Sequence, residues 1–261
     1  MPARKALHKK IDQLGAAEAA VVEQVVDSEL IEIESSTLTE SWLTSSIWAE
    51  AFSARLRAHH ALNPEPLMTT AFEAAFNGAC TVAGWKVDPT PSAVNRFYDT
   101  NVRTSDDVTR SISLKSSAAK DLKQNTVHIS KLCEAAWIQD ARTQKDRQRR
   151  LIKLFADLQK ATDAILQLRC FRLTNAYRYE LVEVPVSVFD HVAALTVAQA
   201  QPGTIWLPPK AKKAQDADAR LRIDKSDGKL TVTGIRSDIC TIHGEWKVRN
   251  MSGTPADKDK A

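Results

Sequence analysis

The first third of the chain places apolar residues at the three- and four-residue spacing of amphipathic helices. This spacing predicts helices over residues 5–30, 41–60 and 67–83. Residues 63–66, Asn-Pro-Glu-Pro, interrupt the pattern before the third helix, because proline cannot continue a helix. Gly84 marks the end of that helix. We therefore expect residues 1–66 to form a helical N-terminal region.

The middle and the end of the chain show the shorter periods and the β-branched residues of strands. Strands are predicted over 108–116, 126–130, 165–173, 177–184, 220–223, 229–235 and 239–248. Helices are predicted over 131–139, 143–162 and 185–194, the first of them capped by Ser130. Thr174-Asn175-Ala176 suits a hairpin turn. The pattern predicts an α/β fold, a mixed β-sheet flanked by helices, with a core over 67–249 and a disordered polar tail over 250–261.

Composition excludes only a few functional classes. Hydrophobic residues make up 43% of the 261 residues, as in an ordinary globular protein. The chain has 36 Lys and Arg against 32 Asp and Glu, a net charge of +4. This small excess excludes a polycationic protein and leaves room for a localised anion site. With eight glycines and no GxGxxG, GxxxxGK(S/T) or GxSxG motif, the sequence argues against an enzyme with a Gly-rich phosphate loop.

The sequence also lacks the signals of membrane and secreted proteins. No run of eighteen apolar residues is present, so no membrane span is expected. No apolar stretch follows the basic N-terminus, so it does not have the pattern of a secretory signal. The four cysteines are widely spaced and form no CxxC pair, which indicates reduced thiols in a cytoplasmic protein and no zinc site.

The segment 105–115 carries the most informative polar residues. Asp107 and Lys115 are eight residues apart, and one straight strand would separate them by roughly 26 Å at about 3.3 Å per residue. The two side chains can cooperate only if the chain reverses between them. We expect a tight turn near Arg110-Ser111, which would pair Asp107 with Leu114, although Arg-Ser is poor turn chemistry.

A carboxylate beside a lysine on a central hairpin suits the hydrolysis of phosphodiesters. The carboxylate holds a divalent metal, and the lysine positions or deprotonates the attacking water and stabilises the developing negative charge. A single aspartate is a poor Mg²⁺ site, so a second acid is required. Position 113 would be the natural source, but it holds Ser113. The best substitute is Glu73, between Phe72 and Phe76 at the edge of an apolar helix face.

Several blocks of the chain resemble a known family. Asp107 with Ser113-Leu114-Lys115 resembles the PD-(D/E)XK nuclease motif. More specifically, six blocks in family order resemble type II restriction endonucleases of the SmaI kind: 67–77 (LMTTAFEAAFN), 107–109 (DVT), 114–120 (LKSSAAK), 127–131 (VHISK), 179–185 (YELVEVP) and 240–246 (CTIHGEW). Two positions depart from the motif, since Asp106 stands where proline is usual and Ser113 where an acid is usual.

The resemblance implies a restriction-endonuclease-like core that hydrolyses double-stranded DNA with Mg²⁺ at a specific, GC-rich palindrome such as CCCGGG. It implies catalytic roles for Asp107, Lys115 and Glu73, with Asp107, Glu73 and the carbonyl of Leu114 as metal ligands. Cleavage would leave a 5′-phosphate and a 3′-hydroxyl. A palindromic site calls for two active sites, hence a homodimer, for which residues 1–66 are a candidate interface. A cognate DNA methyltransferase would complete the restriction–modification system.

Six residues are candidate DNA contacts: His128, Ser130, Lys131, Arg149, Arg150 and His243. His128 and Ser130 share one strand face, but a core histidine and a helix cap would explain them as well. Lys131 suits a phosphate contact, and Arg149 and Arg150 lie on a basic helix surface that could simply be solvated. His243, next to a glycine, could read a base edge. The competing interpretation, supported by Ser113, is a non-catalytic DNA-binding or interaction protein that retains a nuclease-like fold.

Overall fold

The computed structural model describes residues 2–27, 31–38, 40–89, 97–208, 216–223 and 228–249. Its α-helices within these ranges are α1 (Pro2–Ile11), α2 (Ala16–Asp27), α3 (Ser46–Leu62), α4 (Thr69–Val82), α5 (Ala136–Gln139) and α6 (Gln144–Ala161). Its strands there are β1 (Ile33–Thr37), β2 (Lys86–Pro89), β3 (Thr100–Arg103), β4 (Thr109–Ser117), β5 (Thr126–Glu134), β6 (Ala164–Leu173), β7 (Ala176–Val184), β8 (Thr204–Leu207), β9 (Ala219–Ile223), β10 (Lys229–Arg236) and β11 (Thr241–Arg249). A 3-10 helix over Val186–Ala194 follows β7.

The strands form two sheets. The larger sheet has seven strands in the order β1-β11-β7-β6-β4-β3-β2, and β4 pairs with β6 in parallel. The smaller sheet has four strands in the order β5-β10-β9-β8. Helices cover the larger sheet, so the α/β class with a mixed sheet is confirmed. β1 joins the larger sheet by pairing with β11, which builds part of the N-terminal region into the same sheet as the later strands.

One face of the larger sheet is covered by α3 and α4. α3 buries Trp48 and Phe52, whose rings stack with centroids 5.0 Å apart. Phe52 also meets Trp246 of β11 edge-on, at 4.9 Å between centroids. α4 contributes Phe72 and Phe76, which are one helical turn apart and both buried. This aromatic cluster fixes α4 against the sheet.

The opposite face of the larger sheet packs against α6 and the smaller sheet. Thr143 begins α6 by accepting a hydrogen bond from the backbone N–H of Asp146 at 3.1 Å. The apolar face of α6 then meets the inner face of the smaller sheet. Residues buried in this second core include Leu151, Leu154, Phe155, Val127, Leu221 and Val232. The larger sheet is therefore covered on both faces.

Elements with a strong local pattern agree with the sequence prediction. α4 and α6 match the helices predicted at 67–83 and 143–162, and β6 and β7 form the hairpin predicted around residues 174–176. The helix predicted over 5–30 is divided into α1 and α2 at residues 12–15. Among the helices of the described ranges, none is long and apolar enough to cross a membrane.

Other elements differ from the prediction, because distant strands determine them. The sequence pattern does not reveal β1, β2, β3 or β8, which are four or five residues long and lie at or near sheet edges. The helix predicted over 131–139 is wrong in its first half. β5 continues to Glu134 because it pairs with β10, and Ser130 therefore lies in a strand and caps no helix. The tail over 250–261, predicted to be disordered, lies outside the described residues.

Candidate active site

Asp107 lies in the turn between β3 and β4. The register pairs Arg103 with Thr109, so the chain reverses over residues 104–108 and not inside β4. Asp107 has a φ of +65°, is 79% exposed, and its carboxylate lies 2.7 Å from Arg103 Nε. Six residues of straight strand separate Thr109 from Lys115, roughly 20 Å at about 3.3 Å per residue. The expected adjacency of Asp107 and Lys115 is therefore wrong.

The carboxylate beside Lys115 belongs to Asp99, which directly precedes β3. The backbone N–H of Asp99 donates to the carbonyl of Ile112 at 2.8 Å, which extends the pairing of β3 with β4. Asp99 Oδ2 lies 3.2 Å from Lys115 Nζ and accepts the backbone N–H of Leu114 at 2.6 Å. Ser113 Oγ lies 3.4 Å from the same carboxylate. The two charged side chains are 31% and 20% exposed, so the pair is partly buried and still open to solvent.

A sequence signal for Asp99 exists in the turn chemistry of the hairpin. Ser105-Asp106-Asp107 contains the residue types that favour turns, whereas Arg110-Ser111 does not. A reversal at 104–108 directs the search for an acid to the start of the preceding strand, where Asp99 stands. The sequence prediction missed Asp99 because it placed the turn at Arg110-Ser111, which set Asp107 beside Lys115.

Glu73 of α4 lies within electrostatic reach of this pair. The backbone N–H of Thr69 donates to Ser116 Oγ at 2.7 Å, which ties the start of α4 to the end of β4. Burial raises the pKa of the Glu73 carboxyl, the negative charge of Asp99 raises it further, and Lys115 opposes both. Glu73 therefore feels the charges of both Asp99 and Lys115, and its role as a metal ligand stays a prediction.

The donor atoms of this site fit a hard divalent cation. The negative charge of Asp99 raises the pKa of Glu73, and a bound cation would oppose this effect. The carbonyl of Leu114 points to the same side of β4 as its N–H, which is the side of Asp99. Mg²⁺ takes one or two carboxylates and fills its remaining positions with water and substrate oxygens. The described ranges contain no group of three or more His, Cys, Asp or Glu suited to a metal.

Gln167 connects the strand of Lys115 to the smaller sheet. The parallel register of β4 and β6 sets Gln167 opposite Lys115. Its Nε2 donates to the carbonyl of His128 at 2.8 Å. Its Oε1 is buried and has no hydrogen-bond partner among the described residues. β5 therefore lies directly beside the strands that carry the acidic site.

His128 and Ser130 lie on the exposed face of β5, as expected from their two-residue spacing. His128 lines a groove of about 790 Å³ between the end of β4 and the smaller sheet. Burial lowers the pKa of His128, Asp121 raises it and Arg220 lowers it, and the net effect is a decrease. The carbonyl of Ser130 accepts a hydrogen bond from Thr231 Oγ1 at 2.5 Å, which joins β5 to β10.

Lys131, Arg149 and Arg150 are not among the described residues that line this groove. Lys131 is exposed in the part of β5 where the pairing with β10 shifts register. Both arginines bind Asp146 on their own helix, and Arg150 Nε lies 2.8 Å from that carboxylate. The Arg150 guanidinium also lies 5.9 Å from the centroid of the Trp137 ring. These contacts give the arginines a structural role in α6, and a role in DNA binding stays a prediction.

His243 is buried in β11, with 2% of its side chain exposed. A bulge between Ile242 and Gly244 changes the strand alternation at this position. Nε2 lies 2.7 Å from Glu183 Oε2, and Nδ1 lies 2.7 Å from Ser41 Oγ. Both ring nitrogens thus contact side chains of the protein, and a base contact by His243 stays a prediction. The imidazole joins β7, β11 and the segment before α3.

Comparison with known proteins agrees with this architecture. A family model described as "SmaI: Type II site-specific deoxyribonuclease" matches residues 37–248. The type II restriction enzyme SmaI of Serratia marcescens is 23% identical over 214 residues, which cover 76% of this chain and 78% of that protein. No solved structure matches the chain. The resemblance carried by the ordered sequence blocks is confirmed, and the chain belongs to the SmaI family of type II site-specific deoxyribonucleases.

Proposed function

We propose that this protein is a metal-dependent restriction endonuclease in which Asp99, Glu73 and Lys115 are the catalytic groups. One observation carries the assignment: Asp99 Oδ2 lies 3.2 Å from Lys115 Nζ on a single hairpin. The carboxylate of Asp99 attracts a metal cation, and the ammonium of Lys115 attracts a phosphate oxygen, so both requirements meet at one place. Asp99 thus takes the role that the sequence motif suggested for Asp107.

The residues of the site account for each requirement of phosphodiester hydrolysis. Asp99, Glu73 and the carbonyl of Leu114 would hold Mg²⁺, which when bound supplies charge neutralisation at the phosphate and lowers the pKa of water. Lys115 donates hydrogen bonds to the attacking water and to the phosphate, and stabilises the negative charge that develops. Water attacks in line, a new P–O bond forms and the P–O3′ bond breaks. The water loses a proton and the 3′-oxygen gains one, which leaves a 5′-phosphate and a 3′-hydroxyl.

Ser113 explains why Glu73 is needed. Ser113 is buried and neutral, so the hairpin itself supplies only the carboxylate of Asp99. Glu73 brings the second negative charge from α4. Because the pKa of Glu73 is raised in the folded protein, its ionisation and the binding of a cation favour each other. We infer that α4 and the hairpin complete the metal site together.

Plasmid cleavage tests this proposal. The protein should linearise a plasmid in Mg²⁺, and cleavage should stop when the metal is chelated. Lys115→Ala should slow cleavage by about 10²–10³-fold or more, whereas Lys160→Ala, a control at an exposed lysine of α6, should cleave at the wild-type rate. A wild-type protein that binds DNA and never cuts it would instead be the non-catalytic DNA-binding protein that Ser113 favours.

We also propose that two copies act together on a palindromic site. α2 buries none of its residues, and apolar side chains on α1 and α2 are exposed: Leu7 at 56%, Val21 at 52% and Val26 at 61%. Exposed apolar groups of this kind suit an interface between copies. Sedimentation should show a species near twice 28.9 kDa, and Val21→Glu with Val26→Glu should shift it towards the monomer. A wild-type chain that stays monomeric with and without DNA, yet cuts both strands together, would contradict the dimer.

The recognised sequence is proposed to be a GC-rich palindrome such as CCCGGG, on the strength of the family resemblance. A cognate DNA methyltransferase would protect the DNA of the host cell, and both enzymes would act in the cytoplasm. Mapping the ends of the plasmid fragments identifies the site and the cut position. Fragment ends with no common sequence would contradict site-specific cleavage by this chain.

A further inference from the structure

Arg220 lies on the outer face of the smaller sheet and lines the groove of about 790 Å³. Its neighbours in β9, Ala219 and Leu221, are buried in the second core. Because side chains alternate along a strand, Arg220 is turned away from that core. The register places Trp206 of β8 and Thr233 of β10 on either side of Arg220. Arg220 therefore stands in the middle of the outer sheet face that borders the groove, where it and both neighbours are partly exposed.

The guanidinium of Arg220 is held by two neighbours. Its central carbon lies 5.4 Å from the centroid of the Trp206 ring, which is a cation–π distance. It also lies against the backbone of Gly234, which has a φ of +62°. A Cβ at position 234 would come within 3.1 Å of Nη2 and 3.2 Å of Nε. The bare glycine thus leaves the space that the guanidinium occupies beside the Trp206 ring.

The groove is lined by several kinds of hydrogen-bonding side chain, and it lies close to β4, the strand that carries Lys115. Ser117, two residues after Lys115, forms part of its wall. The polar residues that line it with Arg220 include Asn125, His128, Thr233 and Lys123. Contacts to phosphates need only cations and simple donors, whereas base edges require donors and acceptors in a defined pattern. The imidazole of His128, the amide of Asn125 and the hydroxyl of Thr233 around the guanidinium match the second requirement.

We propose that Arg220 reads a guanine of the recognised DNA sequence through paired hydrogen bonds from its guanidinium to O6 and N7 in the major groove. This inference rests on the proposed nuclease function and adds the way in which the substrate is selected. The planar fork of arginine matches these two acceptors, and β-ribbons fit the major groove. In a two-fold dimer each copy would read the same guanine of its own half-site.

A binding measurement that does not depend on cleavage tests this proposal. Asp99→Asn protein, with Ca²⁺ in place of Mg²⁺, selects a preferred duplex from a random pool. Fluorescence anisotropy then compares this duplex with a scrambled one. Adding Arg220→Lys, which keeps the charge and loses the fork, should reduce the preference by about 5- to 150-fold. The affinity for the scrambled duplex should change by less than about threefold, because non-specific binding depends on positive charge, which lysine keeps.

Arg222→Lys is the matched control, since Arg222 lies two residues further along β9 and lines a different cavity, with Gln139 and Arg147.

Duplexes with 7-deazaguanine, which lacks N7, locate the base. One substituted position should weaken binding by protein with Arg220 and leave binding by the Arg220→Lys protein unchanged. The proposal would be overturned if Arg220→Lys weakened binding equally to the preferred and the scrambled duplex, or if it left the preference unchanged. An equal loss of preference with Arg222→Lys would also overturn it. Absence of plasmid cleavage by the wild type would count against the nuclease assignment alone, since these binding results do not use it.

Discussion

The pair of variants Asp99→Asn and Asp107→Asn separates the two possible active sites. Each variant removes one negative charge and almost no volume. In the structure, Asp99 Oδ2 lies 3.2 Å from Lys115 Nζ, which corresponds to roughly 5 kcal/mol of attraction at an effective dielectric constant of about 20. Solvent reaches both side chains and screens part of this attraction. The same carboxylate is also a proposed metal ligand, so its loss removes two contributions to catalysis.

Asp99→Asn should therefore slow cleavage by at least about 10²–10³-fold. The amide oxygen of asparagine can still accept the N–H of Leu114, so the fold and the binding of DNA should be retained. Asp107→Asn breaks an exposed ion pair with Arg103, and such pairs contribute at most about 1 kcal/mol. Its cleavage rate should stay close to that of the wild type.

The assay is single-turnover conversion of supercoiled plasmid to linear DNA, with enzyme in excess and Mg²⁺ varied. Anisotropy with a labelled duplex and a thermal unfolding curve show that each variant binds DNA and is folded. Asp99→Asn protein that cuts at the wild-type rate would refute the assignment. A large loss with Asp107→Asn, in protein that still folds and binds DNA, would restore Asp107 to the active site.

Three further predictions concern side chains around the sheet. The pKa of Glu73 is raised in the metal-free native state, which therefore keeps a proton that the unfolded chain loses, so stability should fall as pH rises from 4.5 through the folded pKa. Glu73→Gln should remove this loss of stability and also the stabilisation by Mg²⁺ in thermal melts. An unchanged response to Mg²⁺ would contradict the metal site. His243→Ala should cost about 1–3 kcal/mol in urea titrations because Glu183 loses a partly buried hydrogen bond. A loss of DNA discrimination without a loss of stability would instead support the base contact. Phe52→Ala, in contact with Trp246, should cost about 3–5 kcal/mol in the same titration, and a cost below about 1 kcal/mol would contradict the packing described.

A local pattern of residues was enough to predict the elements with one buried face. The apolar positions of 67–83 and 143–162 recur at helical spacing, and a helix with such a face must bury it whichever partner it meets. Their structures, α4 and α6, agree with this prediction. The position of Glu73 beside Phe72 and Phe76 placed it at the edge of a buried helix face for the same reason.

The identity of the acid beside Lys115 depended on the tertiary structure. Asp107 is nearer to Lys115 along the chain, but the register of β3 and β4 brings Asp99 to it. Register across a hairpin depends on where the turn lies, and an error in the turn changes every pair of facing residues. The sequence contained both aspartates and did not by itself rank them.

The sequence by itself determined the family, the α/β class and the helices α4 and α6, because these follow from ordered blocks and from periodic patterns within single segments. The tertiary structure decided which side chains meet. His243 looks like an open strand residue in the sequence, yet a bulge and contacts with Glu183 and Ser41 place it inside the protein. Arg220 has no neighbour in sequence that marks it, and its position depends on Trp206 and Gly234 from other strands. Periodicity records how one element is buried, whereas a site depends on the pairing of strands that are distant in sequence, and the patterns of single segments do not contain that pairing.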